Sequence, residues 1–344
     1  MKAADAITNG AQATGPIASS LGVVILGRNE GERLRRCFES VRGKARGVIY
    51  VDSGSTDGSI ELARAEGIEV VHLDMSRPFN CARARNAGFG RLGAIAPGLS
   101  FVQFVDGDCE VISGWLESAE AFLSRHPEVG CVCGQLKERF PEKSIYNRVL
   151  DIAWRMPSGS VAAFGGLAMM RTDVFAQLGG FQEDLFAGED NALSLRMRGA
   201  GWTIWCLPQA MAWHDAEMLH FGQWWKRNTR TGFGYAQWAR MFGKSPGGDA
   251  SLLMQAVRPG LWAVLLPVVA IALSLVWSPL ALLLLLAYPL QVLRLALRVD
   301  GTWRTRIAHG FFIVLGKLPE FVGELEFWLK GRPGRGANPF DYKS

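Results

Sequence analysis

Two carboxylates separated by one glycine follow an apolar run near the first third of the chain. The run is Phe101–Val105, and Asp106 and Asp108 flank Gly107. Its length and its aromatic and β-branched content are typical of a buried strand. Two carboxylates this close repel each other unless a positive charge lies between them, and a divalent metal that carries phosphate oxygens is such a charge. The alternative from local sequence is an Asp-Gly turn with solvated acids.

Strand and helix patterns alternate four times up to this point, which predicts the element that positions these acids. The pattern is typical of an α/β fold with a mostly parallel sheet flanked by helices. Parallel strands end at one edge, where open α/β sheets bind ligands. Each apolar run is followed there by polar side chains, namely Asn29, Glu30, Asp52, Asp74, Asp106 and Asp108. No G-x-G-x-x-G follows the first strand and no G-x-x-x-x-G-K occurs, so a dinucleotide or P-loop site is not expected.

Two later segments add candidate ligands. Gly165 and Gly166 precede an apolar run, and glycines allow the backbone to approach a ligand closely. Glu189 and Asp190 open a predicted helix. Acids in a first helical turn commonly complement the helix dipole, so local sequence leaves both that role and a chemical one open.

The composition indicates that part of the chain contacts lipid and that the protein has anionic partners. The 344 residues are 49% hydrophobic and 20% charged, with a formal net charge of +5. The basic balance suits anionic partners such as acidic lipids or phosphorylated substrates. Nucleic acid is not expected, because the basic residues cluster beside the apolar segments and form no aromatic-interleaved groove. Six cysteines without metal or disulfide spacing indicate a reduced, intracellular protein.

The segment Gly260–Ala296 is almost uninterruptedly apolar. As a helix it would extend roughly 55 Å, against about 30 Å for a hydrocarbon core. Ser278-Pro279 falls near its middle and predicts a turn between two spans, 261–277 and 280–296. One span near 268–288 and a buried soluble helical pair are the alternatives. Basic residues on both sides of the segment predict that both ends lie in the cytoplasm.

Seven motifs occur together in an order that resembles one known family, the family-2 inverting glycosyltransferases with a GT-A fold. The resemblance covers roughly residues 21–235. The motifs are VVILGRNE (23–30), VIYVDSGSTDGS (48–59), ARARNAG (82–88), QFVDGDCEV (103–111), GGLAMMR (165–171), GGFQEDLFAGEDNALSLRMRGAGW (179–202) and AWH (212–214).

The resemblance implies roles for individual residues. Asp52 matches the acid that pairs with the nucleobase. Asp106 and Asp108 match the D-x-D acids that hold the donor diphosphate through Mg²⁺ or Mn²⁺. His214 matches a further metal or phosphate ligand, although a structural histidine is an open alternative, and Asp190 matches the catalytic base. The other expected substrate-binding residues are Asn29, Glu30, Arg83, Arg85, Gly165, Gly166, Glu189, Trp225 and Arg227. For Arg83 and Arg85, contact with the diphosphate and a surface-helix role are both open.

One departure from the family concerns processivity. Processive relatives carry Gln-x-x-Arg-Trp after the base, whereas Gln223–Arg227 lacks the final Trp, which favours the addition of one sugar. Lys226, Arg227 and Arg230, with Trp224 and Trp225, would meet an acceptor phosphate or form an interfacial helix with snorkelling basic residues.

We therefore expect a metal-dependent enzyme of the cytoplasmic membrane, facing the cytoplasm, that transfers one sugar from a nucleotide-diphospho-sugar to a lipid-linked saccharide for a surface polysaccharide. The alternatives are transfer to polyprenyl phosphate and a non-catalytic membrane scaffold. The expected organisation is a flexible lead without a signal peptide (1–20), a catalytic domain (21–235), an interfacial amphipathic segment (236–258), a transmembrane hairpin (259–297), and an amphipathic helix with a loose tail (298–344).

Overall fold

The computed structural model describes residues 20–77, 79–242 and 250–330, which form one central sheet with helices on both faces and a helical C-terminal region. The strands are β1 (Leu21–Gly27), β2 (Gly47–Asp52), β3 (Glu69–His72), β4 (Phe101–Asp106), β5 (Cys109–Val111), β6 (Val129–Glu138), β7 (Gly159–Ser160), β8 (Ala168–Arg171) and β9 (Thr203–His214). The helices are α1 (Glu32–Val41), α2 (Ser59–Ala65), α3 (Cys81–Ile95), α4 (Trp115–Arg125), α5 (Ile145–Ala153), α6 (Thr172–Gln177), α7 (Glu189–Gly199), α8 (Phe221–Phe242), α9 (Ala250–Gly260), α10 (Leu266–Val276), α11 (Ala287–Ala296), α12 (Trp303–Leu315) and α13 (Lys317–Lys330).

The sheet is mixed, with the order β3-β2-β1-β4-β8-β6-β9-β5, and β7 also pairs with β9. The strands β1 to β4 are parallel, as the alternating pattern predicts, and β6 is parallel to β9. The strand β8 runs antiparallel to both β4 and β6, and β5 runs antiparallel to β9. The expected α/β class is confirmed. Strands β5 and β7, of three and two residues, are too short to appear in a hydrophobic pattern.

Alternate residues of the central strands enter two separate cores. Val23 and Ile25 of β1 pack in one cluster with residues of α1 and α4, whereas Val24 and Leu26 pack in the other with residues of α3, α6 and α7. Because both faces are covered, the strands read as continuous apolar runs in the sequence. The carboxyl edge of the sheet is thereby left as the place where polar side chains gather.

Two helical segments after the sheet are long and apolar enough to cross a membrane, namely Leu253–Val276 and Pro279–Ala296. The first joins α9 to α10 through a π-helical turn, Leu261–Leu265, and the second begins as a 3₁₀-helix before α11. The chain turns at Ser278, whose Oγ accepts a hydrogen bond from the Leu280 amide at 3.3 Å, so a single helix over 268–288 does not form. Only 11% and 6% of their most apolar windows are buried, which disfavours the buried soluble pair.

Helices α8 and α13 pack so closely that their backbones are in contact. A Cβ atom on Gly232 of α8 would lie 1.8 Å from the carbonyl oxygen of Glu320 in α13. A Cβ atom on Gly323 of α13 would lie 1.9 Å from the carbonyl oxygen of Thr229 in α8. The two helices therefore need glycine at both positions.

The C-terminal boundaries differ from the predicted ones. Helix α8 continues through residue 235 without interruption, and two helices that meet at Gly316 lie where the sequence predicts one amphipathic helix within 298–344. The predicted lead, except its last residue, the predicted tail from 331, and part of the interfacial segment lie outside the described residues.

Candidate active site

A cavity of about 930 Å³ opens at the carboxyl edge of the sheet, between the ends of β1 and β4, the start of α7 and one face of α8. Most of the predicted site residues line it: Glu30, Arg85, Asp106, Asp108, Gly165, Gly166, Glu189, Asp190, His214 and Arg227. The carboxylate of Glu30 is held by Arg33 at 3.0 Å. Four predicted residues do not line the cavity: Asn29, Asp52, Arg83 and Trp225.

Strand pairing brings the histidine to the D-x-D acids. Cys109 of β5 lies opposite His214 of β9 in the antiparallel register, and the Asp215 amide donates a hydrogen bond to the Asp108 carbonyl oxygen at 3.0 Å. As a result His214 Nε2 lies 3.3 Å from Asp108 Oδ1. Asp106, at the end of β4, stands on the other side of Gly107.

Some, but not all, of the potential metal ligands beside Asp108 suit a hard divalent cation. Asp108, Cys109 and His214 each place a potential ligand atom within 4.8 Å of the others. Burial, and then the charges of Asp108 and Asp106, raise the pKa of the Cys109 thiol well above its usual value, so this residue stays protonated and unsuited to Mg²⁺ or Mn²⁺. The Nδ1 atom of His214 is buried without a hydrogen-bond partner among the described residues. Carboxylate and imidazole are common metal ligands, so Asp108 and His214 are the fitting pair.

Asp106 is oriented by a buried arginine. Arg85 Nη2 donates to Asp106 Oδ1 at 3.0 Å, and Arg85 Nη1 donates to Glu189 Oε1 at 2.7 Å. The Arg85 side chain is only 3% exposed, and its guanidinium carbon lies 5.3 Å from the centre of the Phe181 ring. Burial, with Asp108 nearby, raises the pKa of Asp106 although Arg85 acts in the opposite direction. Arg85 therefore ties the end of β4 to the start of α7 and is not a surface-helix residue.

The start of α7 places the expected base on the cavity wall. Gly188 caps the helix in the left-handed conformation, with φ 81°, and its carbonyl oxygen accepts a hydrogen bond from Trp238 Nε1 of α8 at 3.3 Å. Burial, and then the charge of Glu189, raise the pKa of Asp190 to about 6. A carboxylate with this pKa can accept a proton at neutral pH and hold it more strongly than an ordinary Asp.

The glycine pair Gly165 and Gly166 lies beside Asp106 and Arg85. A Cβ atom on Gly166 would lie 3.8 Å from Asp106 Oδ2 and 3.9 Å from Arg85 Nη2. Gly165 has φ 70°, a conformation that favours glycine. The backbone at this point therefore forms part of the cavity wall beside Asp106.

Two of the remaining predicted residues, Asp52 at the end of β2 and Asn29 after β1, are hydrogen-bonded to the loop that follows β2. Asp52 is 2% exposed; its Oδ2 accepts from the amides of Gly54 and Ser55 at 2.9 and 3.0 Å, and its Oδ1 accepts from the Tyr50 hydroxyl at 3.1 Å. Asn29 has φ 54° and binds the neighbouring loop, because its Oδ1 accepts from the Thr56 amide at 2.8 Å.

Arg83 and Trp225, which also do not line the cavity, contact other parts of the protein. Arg83 donates to the carbonyl oxygens of Asp74 and Arg77 at 2.7 and 3.1 Å. The Trp225 ring packs at 5.8 Å from that of Phe221. Substrate contacts by these two residues, Asn29 and Asp52 stay predictions.

Two aromatic residues with no signal in the sequence complete the wall. The Trp154 ring, after α5, packs edge-on against His214 with 4.6 Å between centroids, and the Arg227 guanidinium carbon lies 5.9 Å from the same ring. The Phe186 ring lies 5.6 Å from the Arg230 guanidinium carbon. Only single aromatic residues mark these positions in the sequence, and they belong to no periodic pattern or motif that would distinguish them from other aromatic residues.

The family models now assign the class. The model for "Glycosyl transferase family 2" matches residues 22–179, and the model for "Glycosyl transferase family group 2" matches residues 116–299, more than half of the chain. The chain belongs to glycosyltransferase family 2, as the motifs predict.

Several curated proteins are similar to this chain. The pre-mycofactocin glycosyltransferase of Mycobacterium tuberculosis is 31% identical over 216 residues, which are 59% of this chain and 44% of that protein. Glycosyltransferase AglE of Haloferax volcanii is 27% identical over 233 residues, 63% of this chain and 73% of AglE. Succinoglycan biosynthesis protein ExoA of Rhizobium meliloti is 29% identical over 53% of this chain and 59% of ExoA. The chain thus spans less than half the length of the first of these relatives.

A solved structure shows the same fold. The mannosyltransferase PcManGT of Pyrobaculum calidifontis, in complex with GDP-Man and Mn²⁺, matches with a TM-score of 0.58 and 18% identity over 92% of this chain and 88% of PcManGT. The expected GT-A fold is confirmed.

Proposed function

We propose that this chain catalyses the metal-dependent transfer of one sugar, with inversion, from a nucleotide-diphospho-sugar to a membrane-associated acceptor. The observation that carries the proposal is that a single cavity contains the acid pair Asp106 and Asp108, the adjacent His214 and the carboxylate Asp190 with its raised pKa. A non-catalytic scaffold would have no need to keep these four groups together.

Asp108 and His214, with Asp106 beside them, would hold Mg²⁺ or Mn²⁺. When bound, such an ion neutralises the charge that develops on a diphosphate leaving group without any proton transfer. The solved relative PcManGT, crystallised with GDP-Man and Mn²⁺, supports a nucleotide-sugar donor and a metal at this kind of site. Which sugar and which base the donor carries is left to the experiment below.

Asp190 is placed to act as the general base. Its carboxylate would take the proton of the acceptor hydroxyl as the hydroxyl oxygen attacks the anomeric carbon, and the bonding electrons of the breaking bond leave with the nucleotide diphosphate. Such base assistance typically contributes ~10²–10⁴-fold to the rate. One displacement inverts the anomeric centre, so a second, nucleophilic carboxylate is not required.

The apolar helices support a membrane-associated acceptor. Two segments could cross a membrane by length and composition, and ExoA, a relative named for succinoglycan biosynthesis, supports a role in making a surface polysaccharide. We accordingly propose a lipid-linked saccharide as acceptor, with the sheet domain on the cytoplasmic side of the cytoplasmic membrane.

The first test is donor binding and turnover by the full-length protein in nanodiscs. A panel of nucleotide-sugars would be supplied with Mn²⁺ or with EDTA, and both bound donor and released nucleotide diphosphate would be measured. We expect one donor to bind and to be slowly hydrolysed only with metal, and Asp108→Ala to lose both. Asp74→Ala is the matched control, because Asp74 is an exposed acid that follows β3, which lies at the outer edge of the sheet and is separated from β4 by two strands. Absence of metal-dependent binding of every nucleotide-sugar would refute the transferase and favour the scaffold.

A further inference from the structure

We propose that Lys226, Arg227 and Arg230 of α8 form a subsite for a phosphate or diphosphate group on the acceptor, distinct from the place of the donor diphosphate. The acceptor class would therefore be a phosphorylated lipid or lipid-linked sugar. This inference rests on the proposed function and adds the chemistry by which its acceptor is held.

The three basic residues share one face of α8, and that face is a wall of the cavity. The cavity-lining residues of α8 recur every four positions, mostly as adjacent pairs: Gly222 and Gln223, Lys226 and Arg227, Arg230 and Thr231, Gly234 and Tyr235, and then Trp238. This spacing is one side of a helix. The 22 residues of α8 contain no Asp and no Glu, so all the formally charged side chains that α8 contributes to the wall are basic.

The part of the cavity lining outside α8 has an excess of negative charge. Against two arginines, Arg28 and Arg85, five carboxylates line it at the sheet edge and the start of α7: Glu30, Asp106, Asp108, Glu189 and Asp190. An acidic lining suits a cation and the donor phosphates that the cation carries. A wall with three positive charges in the same cavity suits a second anion.

Aromatic rings hold two of the guanidinium groups in place. Arg227 lies over Trp154, and Arg230 lies over Phe186, at 5.9 and 5.6 Å from the ring centres. A ring uses the face of a guanidinium group, whereas a phosphate binds its edge, so the two contacts are compatible. Trp154 also touches His214, which sets the position of Arg227 relative to the metal site.

The cavity reaches the apolar segment, which favours a lipid as the carrier of the phosphate. Gln255 lines the cavity and belongs to Leu253–Val276, the first segment able to cross a membrane. A phosphate held on α8 would thus lie next to the place where an acyl or prenyl chain could enter the bilayer.

The experiment measures the binding of farnesyl phosphate to the full-length protein in nanodiscs, with the donor site filled by Mn²⁺ and the nucleoside diphosphate of the donor found above. Farnesol and inorganic phosphate are the comparison ligands. The double variant K226Q/R230Q loses two charge-assisted hydrogen bonds, so it should bind farnesyl phosphate at least about tenfold more weakly than the wild type does. Arg240→Gln, a change on the same helix outside the cavity, should bind as the wild type does. Arg230→Lys keeps the charge but not the planar edge of the guanidinium, so its binding should fall between that of Arg230→Gln and that of the wild type.

The outcomes separate the two proposals. Equal binding of farnesyl phosphate by wild type and K226Q/R230Q, with equal thermal midpoints, would overturn the subsite while leaving donor binding intact. If K226Q/R230Q binds the nucleoside diphosphate more weakly but binds farnesyl phosphate as the wild type does, the subsite is also overturned, because the basic wall would then bind the donor. If K226Q/R230Q does not fold, the single variants replace it. Weaker binding of farnesyl phosphate by Arg230→Gln than by Arg230→Lys supports the subsite, and equal binding by the two overturns it. Tighter binding of farnesyl phosphate than of inorganic phosphate identifies a lipid phosphate, and equal binding identifies a soluble one. Failure to bind any donor is a failure of the proposed function itself.

Discussion

Replacing Arg85 by Met tests how the fold and the candidate site depend on one side chain. Met is of similar length, but it leaves the carboxylates of Asp106 and Glu189 without the partner that now lies 3.0 and 2.7 Å away. The Arg85 side chain is 3% exposed, so water cannot replace it easily. Removing one partner of a buried ion pair costs about 3–5 kcal/mol.

That cost predicts a large change in thermal midpoint. For a domain of this size each kcal/mol shifts the midpoint by about 2–4 °C, so Arg85→Met should lower it by roughly 6–20 °C. The matched control is Arg91→Met on the same helix. Arg91 pairs with Glu69 at 2.5 Å, but the two side chains are 46% and 42% exposed, and exposed pairs contribute about 1 kcal/mol or less.

The assay is tryptophan fluorescence of the full-length protein in detergent, heated at one rate, since large proteins often unfold irreversibly. Arg85→Lys should fall between wild type and Arg85→Met, because one ammonium group does not reproduce the two-pronged geometry of a guanidinium. Equal shifts for Arg85→Met and Arg91→Met would show that the bridge between β4 and α7 contributes little to stability, and the reasoning would fail.

Three further predictions concern the base, the helix contact and the metal. If Asp190 is the base, as proposed, its pKa of about 6 means that it is deprotonated and active above that value. The transfer rate should then fall about tenfold per pH unit below it; a pH–rate profile that stays flat down to pH 5 would contradict this. Gly323→Ala places a Cβ atom 1.9 Å from a carbonyl oxygen of α8 and should lower the free energy of unfolding by about 1–3 kcal/mol or more. In contrast, Gly93→Ala, with nothing within 4 Å, should stabilise by about 0.5–1 kcal/mol in the same melting assay. His214→Ala should raise the Mn²⁺ concentration for half-maximal donor binding more than about tenfold, whereas the exposed His126→Ala should not change it.

Two strand ends that look alike in the sequence differ in the structure. Asp106 and Asp52 each follow an apolar parallel strand, and the sequence predicts both at the same edge. The carboxylate of Asp106 lies in the cavity wall, but that of Asp52 turns back to the amides of Gly54 and Ser55. Secondary structure and topology follow from the apolar period, whereas the direction of a side chain at a strand end depends on which local donors capture it.

The position of His214 beside Asp108 depends on long-range strand pairing, which the sequence alone does not predict. His214 reaches Asp108 because three-residue β5 pairs with the end of β9. No hydrophobic period exists over three residues, so only the resemblance to the family placed His214 near the acids. The contact of Trp154 with both His214 and Arg227 depends on the same pairing and on the path of α8.

The C-terminal helices take part in building the candidate site, which differs from the sequence-based division into a catalytic domain and an anchor. Helix α8 carries the basic wall, and its position depends on backbone contact with α13 at Gly232 and Gly323. Trp238, beyond the predicted boundary at 235, donates to the Gly188 carbonyl oxygen at the start of α7, next to Asp190. A change that loosens α13 would therefore move the proposed phosphate subsite and the proposed base together. For this reason the acceptor side of the cavity and the apolar segments have to be studied in one intact chain.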